Sequence, residues 1–292
     1  MRIKDVFRKA LTAAFVSLAG ATSTFVAEAA ANGDTMLFGI VPQQSATRLA
    51  QVWVPLFQRL SQETGLKIRF TTTKDIPTFE QCLARGAYEF AYMNPYHYVV
   101  FSKAPGYAAF AKQKDKMLRG IIVVRKESAA QSLKDLSGRK FAFPSPAAFG
   151  ASVLPRAEMR KSGIAHHPTY VRSHDSVYRS VAAGLFPAGG GVGRTFANAD
   201  KAVRERLRIL YRTEKYTPHA FARSPKVSPA AAKRVLDAMI AIGETAPELL
   251  KPLGFKGFVA AQSADWNDVR RLNLSQSETE IRREGETVCR SD

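Results

Sequence analysis

The chain has 292 residues, 46% of them hydrophobic and 23% charged, the balance of a soluble globular protein long enough for two lobes and a sizeable core. Its formal net charge of +18 is the unusual feature, compatible with nucleic acid, an anionic membrane surface or small anionic ligands as partners. Its only cysteines, Cys82 and Cys289, exclude a cysteine-based zinc cluster.

The N-terminus narrows that choice. Arg2, Lys4, Arg8 and Lys9 form a positive segment, Ala10 to Val26 is an uncharged run of small and apolar residues, and Ala27-Glu28-Ala29 offers an A-x-A-like cleavage site. Ala30 and Ala31 allow a slightly later cut. The run is rich in Ala, Ser, Thr and Gly rather than Leu, Ile and Phe, so residues 1–31 read as a cleavable secretory signal and not as a membrane anchor. No cysteine stands at the cleavage region, so no lipoprotein anchor is expected. Loss of residues 1–29 removes four basic and two acidic charges and leaves +16. A protein exported to the periplasm does not meet chromosomal DNA, which removes nucleic acid from the expected partners.

In the mature chain Met36 to Val41 reads as a first strand, ending in Pro42-Gln43-Gln44-Ser45. The next helix carries Leu49, Val52, Trp53, Leu56, Phe57 and Leu60 on one face; Pro55 is expected to kink it or limit its first half, and Gly65 to close it. Lys67 to Thr72 alternates as a strand, and Thr78 is expected to cap a short helix that stops at Gly86. Tyr88 to Met93 is aromatic, apolar and short enough to be a buried strand. Asn94 then suits an N-cap and Pro95 a first helical position, so the chain turns sharply into a helix opening with Tyr96, His97 and Tyr98. This β-α-β-α-β-α order predicts a parallel, doubly wound sheet, whose ligands bind beyond the carboxyl ends of the strands.

Tyr107 to Ala111 and Leu118 to Arg125 read as two paired strands about a charged turn, Lys112 to Lys116, with the exit to a second lobe near Val124 to Glu127. Ser132 to Leu136 reads as a short capped helix, Lys140 to Phe143 as a strand, and Pro144 to Ser152 as a loop entering a helix that ends near Gly163. Tyr170-Val171 is a short strand, Ser173 caps the helix His174 to Ala183, and Ala188 to Val192 and Leu207 to Tyr211 are strands. The return falls around Tyr211 to Thr217, followed by a strand at Ala220 to Arg223 and a helix capped by Ser228 with Pro229 at its start. The expected division is residues 34–125 plus 213–272 for the first lobe, 126–212 for the second, and a tail, 273–292, fraying from Ser275. Two α/β lobes with the chain crossing out and back make a cleft at a hinge, the build of a solute-binding protein that closes on its ligand. Export permits a disulfide, but Cys82, in a helix beside Phe79 and Leu83, is expected to be a buried free thiol.

Phe38-Gly39-Ile40-Val41-Pro42, the Trp53-x-Pro55-Leu56 helix, Tyr88 to Tyr98, Asp135-Leu136-x-Gly138-x-Lys140 and Ser173-His174-Asp175-Ser176-Val177, taken with the export signal, resemble the phosphonate/phosphite/phosphate-binding proteins of ABC importers. The resemblance runs from about Met36 to Leu272 and rests on the order and spacing of these motifs. It implies a two-lobed (type II) periplasmic binding protein, each lobe a doubly wound mixed or parallel sheet with flanking helices. It also implies a small anionic solute handed as a monomer to an importer permease, without cofactor or metal. The alternative is the same fold presenting its ligand to a membrane sensor kinase. In the family a loop rich in Ser and Thr holds the oxyanion; here Ser145 is kept, while Ala147 and Ala148 lack hydroxyls. The amides of Ala147, Ala148 and Phe149 can still serve, because an anion at a helix N-terminus needs only N–H groups and the dipole. The departure leaves open a phosphonate, another anion or a less charged ligand.

The expected ligand-binding residues are therefore Gln43, Asn94, Tyr96 and Tyr98 from one lobe and Ser145, Ala147, Ala148, Phe149, His174, Asp175 and Arg194 from the other. His174 would donate to an anion, with Asp175 favouring its helix N-terminus. Tyr96, His97 and Tyr98 cannot all face the cleft, since i and i+2 diverge on a helix, and Asn94 and Tyr98 are preferred. Gly189-Gly190-Gly191-Val192-Gly193 lacks the Lys-Ser/Thr of a phosphate loop and is read as close backbone packing. Ser145, His174 and Asp175 are the residue types of a triad, but adjacent His174 and Asp175 on one helix cannot orient each other, and there is no Gly-x-Ser-x-Gly elbow. No enzyme is expected.

Overall fold

A computed structural model describes residues 35–285 and Cys289, so the predicted signal peptide lies outside the described residues. The first lobe opens with β1 (Met36–Ile40), α1 (Ala46–Thr64), β2 (Ile68–Thr71), α2 (Ile76–Ala84), β3 (Phe90–Met93) and α3 (Pro95–Phe101). Ser45 caps α1, its hydroxyl accepting from Arg48 N, and Gly65 ends it at φ 67°. Pro55 does not divide this helix. It and Gln51, whose carbonyl it deprives of a partner, both face solvent, while Leu49, Trp53, Leu56 and Leu60 are buried. The cap of α2 is Asp75, whose carboxylate accepts from Thr78 N at 2.9 Å, and not Thr78.

The strands β4 (Ala108–Gln113) and β5 (Gly120–Arg125) do not pair with each other. After β5 come β6 (Arg139–Phe143), the wide helical turn Phe149–Val153 that runs into α4 (Leu154–Lys161), β7 (His166–Tyr170), α5 (His174–Ala182) and β8 (Ala188–Val192). The chain continues through α6 (Gly193–Ala197), α7 (Lys201–Glu205), β9 (Leu207–Arg212), β10 (Ala220–Arg223), α8 (Pro229–Thr245), β11 (Phe258–Ala260), α9 (Asn267–Arg270) and α10 (Gln276–Thr279). One sheet has the order β11-β4-β10-β3-β1-β2 and the other β7-β6-β8-β5-β9. In the first, β2, β1 and β3 are parallel and β10 is antiparallel to both β3 and β4; in the second, β7, β6 and β8 are parallel and β5 is antiparallel to both β8 and β9.

The first crossing between lobes is therefore residues 114–119, not the expected Val124 to Glu127, and 120–125 belong to the second lobe. A hairpin turn and a hinge crossing carry the same cluster of charged residues; what separates them is that Ile121 to Val124 are wholly buried between β8 and β9. The return crossing, 213–219, runs beside the first, and the two are stitched by Leu118 N to Tyr216 O at 2.7 Å and Tyr216 N to Leu118 O at 2.9 Å.

The core of the first lobe is aromatic: Phe38, Trp53, Phe57, Tyr92, Phe221 and Phe255 pack ring against ring. In the second lobe the glycines of β8 decide how closely the layers approach. A Cβ on Gly190 would lie 1.8 Å from Ala151 O, and one on Gly191 2.1 Å from the Tyr178 hydroxyl. Only bare backbone lets the turn at Phe149–Val153 and helix α5 press against the sheet there, which is the close packing expected for this run.

Residues 275–282 of the tail are anchored, not frayed. Ser275 and Glu278 form a capping box on α10, Ile281 is buried, and Arg282 N donates to the Glu80 carboxylate at 2.7 Å. Cys289 is joined to Cys82, correcting the expected free thiol. The tail also reaches the second lobe, where Arg156 donates to Glu278 O at 3.0 Å and Arg160 pairs with the Glu278 carboxylate at 2.7 Å. Its polar composition conceals this, because its anchors are one disulfide and hydrogen bonds to groups far away in sequence.

The double replacement Cys82→Ser, Cys289→Ser should lower unfolding stability in urea by roughly 2–5 kcal/mol, as the ring closed by a long-range disulfide is lost from the unfolded chain. Gly190→Ala should cost about 3 kcal/mol or more, since a backbone carbonyl must be displaced, and an unchanged urea midpoint would refute the close approach.

Candidate ligand-binding site

The carboxyl ends of β1 and β3 face those of β6 and β8 across the line where the lobes meet. Gln43 follows β1 and Asn94 follows β3; opposite them stand the turn at Phe149, His174 at the start of α5 and Arg194 at the start of α6. The lobes touch through specific bonds. Asn94 Nδ2 donates to Ala147 O at 3.1 Å, His174 N donates to Gln43 O at 3.0 Å, and Arg194 Nη2 donates to Gln43 Oε1. The Asp175 carboxylate accepts from Gln44 Nε2 at 3.4 Å and from Ser45 N at 3.3 Å.

Between these contacts lies an enclosed space of about 10 Å³. Val41 and Ile76 form its apolar wall, Gln43, Asn94, His174 and His219 supply polar side chains, and the backbone of 148–151 closes it; no acidic side chain lines it. Asn94 plays two parts, because its Oδ1 caps α3 by accepting from His97 N at 2.7 Å while its Nδ2 reaches the other lobe. Ser173 caps α5, accepting from Ser176 N, which fixes His174 as the first helical residue. His174 Nδ1 lies 2.9 Å from Thr195 Oγ1, which lies 2.7 Å from the Tyr178 hydroxyl. Burial, reinforced by the Arg194 guanidinium, holds the His174 imidazole down at about 3, so it is neutral at neutral pH.

Several expected residues stand elsewhere. Tyr98 is a core residue: its hydroxyl accepts from Ala109 N at 3.2 Å and its ring packs on Trp266 at 4.6 Å. Tyr96 points to the tail, its hydroxyl accepting from Thr279 Oγ1 at 3.1 Å, and His97 turns to Glu80 at 3.0 Å. A helix opening at the cleft still turns most of its rings into the lobe, where they bury more surface. Ser145 is buried with its hydroxyl unpartnered and outside the enclosed space, and Ala147 offers its carbonyl rather than its amide. Asp175 is not the N-cap of its helix; it ties the two lobes together at the edge of a broader groove of about 390 Å³. Gln43, Asn94, Ala148, Phe149 and His174 do come together, with Arg194 behind Gln43. The triad types are not assembled, since His174 pairs with Thr195 and Asp175 with Gln44 and Ser45.

Sequence reasoning missed His219 and Thr195. His219 lies in the return crossing, stacked on Tyr92 at 4.9 Å, and its only sequence signal is its position at a hinge. Thr195 has none, since a hydroxyl one turn into a short helix is indistinguishable from a surface residue.

The chain matches, over residues 38–266, the family described as "ABC transporter, phosphonate, periplasmic substrate-binding protein". It is 21% identical over 228 residues to the phosphate-import protein PhnD of Mycolicibacterium smegmatis, covering 67% of this chain and 68% of that protein. Among solved structures it is similar to a binding protein component of an ABC phosphonate transporter from Pseudomonas aeruginosa, with a TM-score of 0.76 at 16% identity over 84% of this chain and 87% of that one. A PhnD protein of Prochlorococcus marinus in complex with methylphosphonate gives a TM-score of 0.74 at 17% identity, over 82% and 98% of the two chains. At such identities the two structures share the two-lobed fold.

The buried neutral His174 sets a pH dependence of stability. Its folded value lies below the ordinary 6.5, so the stability it allows is fully present above pH 6.5 and is lost as pH falls toward 3, where the unfolded chain binds a proton the folded one refuses. His219, held well below 6.5 by its burial, acts in the same direction. Urea unfolding between pH 7 and pH 4 should show His174→Asn losing less stability than the wild type, by up to about 1.4 kcal/mol per pH unit. Equal slopes would mean that His174 titrates normally in the folded protein.

Proposed function

The chain belongs to the phosphonate periplasmic substrate-binding proteins of ABC transporters, and from that premise we propose that it captures a small oxyanion of the phosphate, phosphite or phosphonate class between its lobes and presents it to an importer permease. The observation that carries the ligand class is the convergence of donors on a space without acidic lining: Asn94, Gln43, His174 and the backbone opening the helical segment at Phe149. The first N–H groups of such a segment have no partner within it, and together with the helix dipole they favour an anion.

His174 contributes a neutral imidazole. Its Nδ1 is engaged by Thr195 Oγ1, whose hydroxyl also donates to Val192 O at 3.1 Å, and Nε2 is the ring nitrogen left for the solute. The loss of hydroxyls at Ala147 and Ala148 shifts recognition from side-chain O–H groups to backbone amides, the imidazole and the general field of a strongly basic chain. A space of about 10 Å³ has room for about one water molecule, so a phosphate-sized solute enters by parting the lobes at the two crossings. The bonds Asn94 to Ala147 and His174 to Gln43 then yield donors to the solute. Residues 1–31 direct export as a cleavable signal.

Thermal-shift and calorimetric titration with phosphate, phosphite, methylphosphonate and sulfate, beside neutral and cationic solutes, tests the reading. An oxyanion at 100 times its Kd should add about 2.7 kcal/mol of stability. His174→Ala should weaken that binding about tenfold or more, while Tyr98→Phe, remote from the solute, should leave it unchanged. Binding of a neutral or cationic solute with no response to any oxyanion would overturn the proposal.

A further inference from the structure

Behind the enclosed space, where the two crossings run between the lobes, lies a cavity of about 170 Å³. Lys116 and Arg119 of the first crossing, Arg212 at the end of β9, Arg194 of α6 and His219 of the return crossing all line it, and among the described residues no acidic side chain does. Three buried nitrogens at this cavity have no hydrogen-bond partner among the described residues: Arg119 Nε, Arg194 Nη1 and His219 Nε2. His219 is only 6% exposed.

Such an arrangement is unfavourable as it stands. A guanidinium does not shed its proton, so like charges facing one partly buried space repel one another, and each unpaired buried N–H forfeits the hydrogen bond it had in water. The broader groove at the other side of the lobes shows the contrast. It too is lined by basic residues, Arg48, Arg179 and Lys201, but Asp175 and Asp200 stand among them. The cavity at the crossings has no such internal compensation, and an oxyanion is the chemistry that satisfies all its unpaired donors together. Arg119 and Arg194 offer planar N–H groups that match a carboxylate or phosphoryl edge, and His219 can donate from Nε2. Its volume admits a group of several heavy atoms, far more than the enclosed space does.

The two spaces are neighbours. His219 lines both, and Arg194, which lines the cavity, is bonded to Gln43, which lines the enclosed space. Resting on the oxyanion reading given above, we infer that the cavity is a second anion subsite and that the solute is a small compound with two acidic groups. One group is held by His174, Asn94 and the amides at Phe149, and the other by Arg119, Arg194 and His219. Phosphonocarboxylates and pyrophosphate are of this class.

Calorimetric titration of the protein with methylphosphonate and with phosphonoacetate, which differ by one carboxylate, separates the two ideas. Phosphonoacetate should bind at least tenfold more tightly. Arg119→Gln should abolish that advantage while leaving the affinity for methylphosphonate within about twofold, and Arg119→Lys should restore only part of it. Arg212→Gln, at an exposed position that tolerates replacement, should reduce the advantage in the same direction and serves as the reading if Arg119→Gln does not fold. Equal affinities for the two probes, or an advantage that survives both replacements, overturns the second subsite and leaves the oxyanion function standing. If neither probe binds the wild-type protein, the second subsite falls, and the titrations with phosphate, phosphite and sulfate decide the oxyanion reading separately.

Discussion

The backbone of Ala151 lies so close to Gly190 that no side chain could stand between them, and the second lobe is organised by that approach. It brings the turn at Phe149–Val153 down onto β8 and aims the start of the helical segment at the other lobe. The same absence of side chains lets Tyr178 reach over Gly191 to Thr195, and Thr195 in turn holds His174. Three glycines that resemble a phosphate loop thus act at one remove. They line neither space between the lobes; they set the distance between the layers that do.

Electrostatics follows from this packing. Burial keeps His174 and His219 neutral although the chain as a whole is strongly basic. The donors facing the enclosed space are then amides and imidazoles, whereas the fixed positive charges gather behind it, at the crossings. On the proposed reading, this division separates orientation from charge neutralisation: hydrogen bonds with defined directions in front, guanidinium groups behind. The absence of acidic side chains from both spaces gives the division a single sign.

The lobes are held by more than the hinge. Asp175 reaches from α5 to Gln44 and Ser45, and the tail, bonded through Cys289 to the first lobe, engages Arg156 and Arg160 of the second through Glu278. Motion about the crossings therefore works against these contacts, which range from the buried Arg156 to the exposed Arg160–Glu278 pair, and against a tail covalently anchored to the first lobe.

Much of the fold was legible in the sequence, and for local reasons. Asn94-Pro95, Ser173 and Ser228-Pro229 mark helix starts by chemistry that acts within four residues, and the apolar stripe of α1 follows from its period. Gln43, Asn94 and His174 were legible as neighbours because each follows a strand end or opens a helix, and they line one space between the lobes. Four things were decided only in three dimensions. Tyr98 stands away from that space because its ring found Trp266, which lies far along the chain. Residues 120–125 joined the second sheet because β8 and β9 could bury them on both edges. Cys82 gained a partner because a polar tail returned across both lobes. His219, Arg119 and Arg194 came to share one cavity because the two crossings run side by side. Periodicity and capping bind neighbours in the chain, and so the sequence by itself determined the elements and their order; partners distant in the chain meet only through packing, and so the tertiary structure alone decided which side chains line the spaces between the lobes.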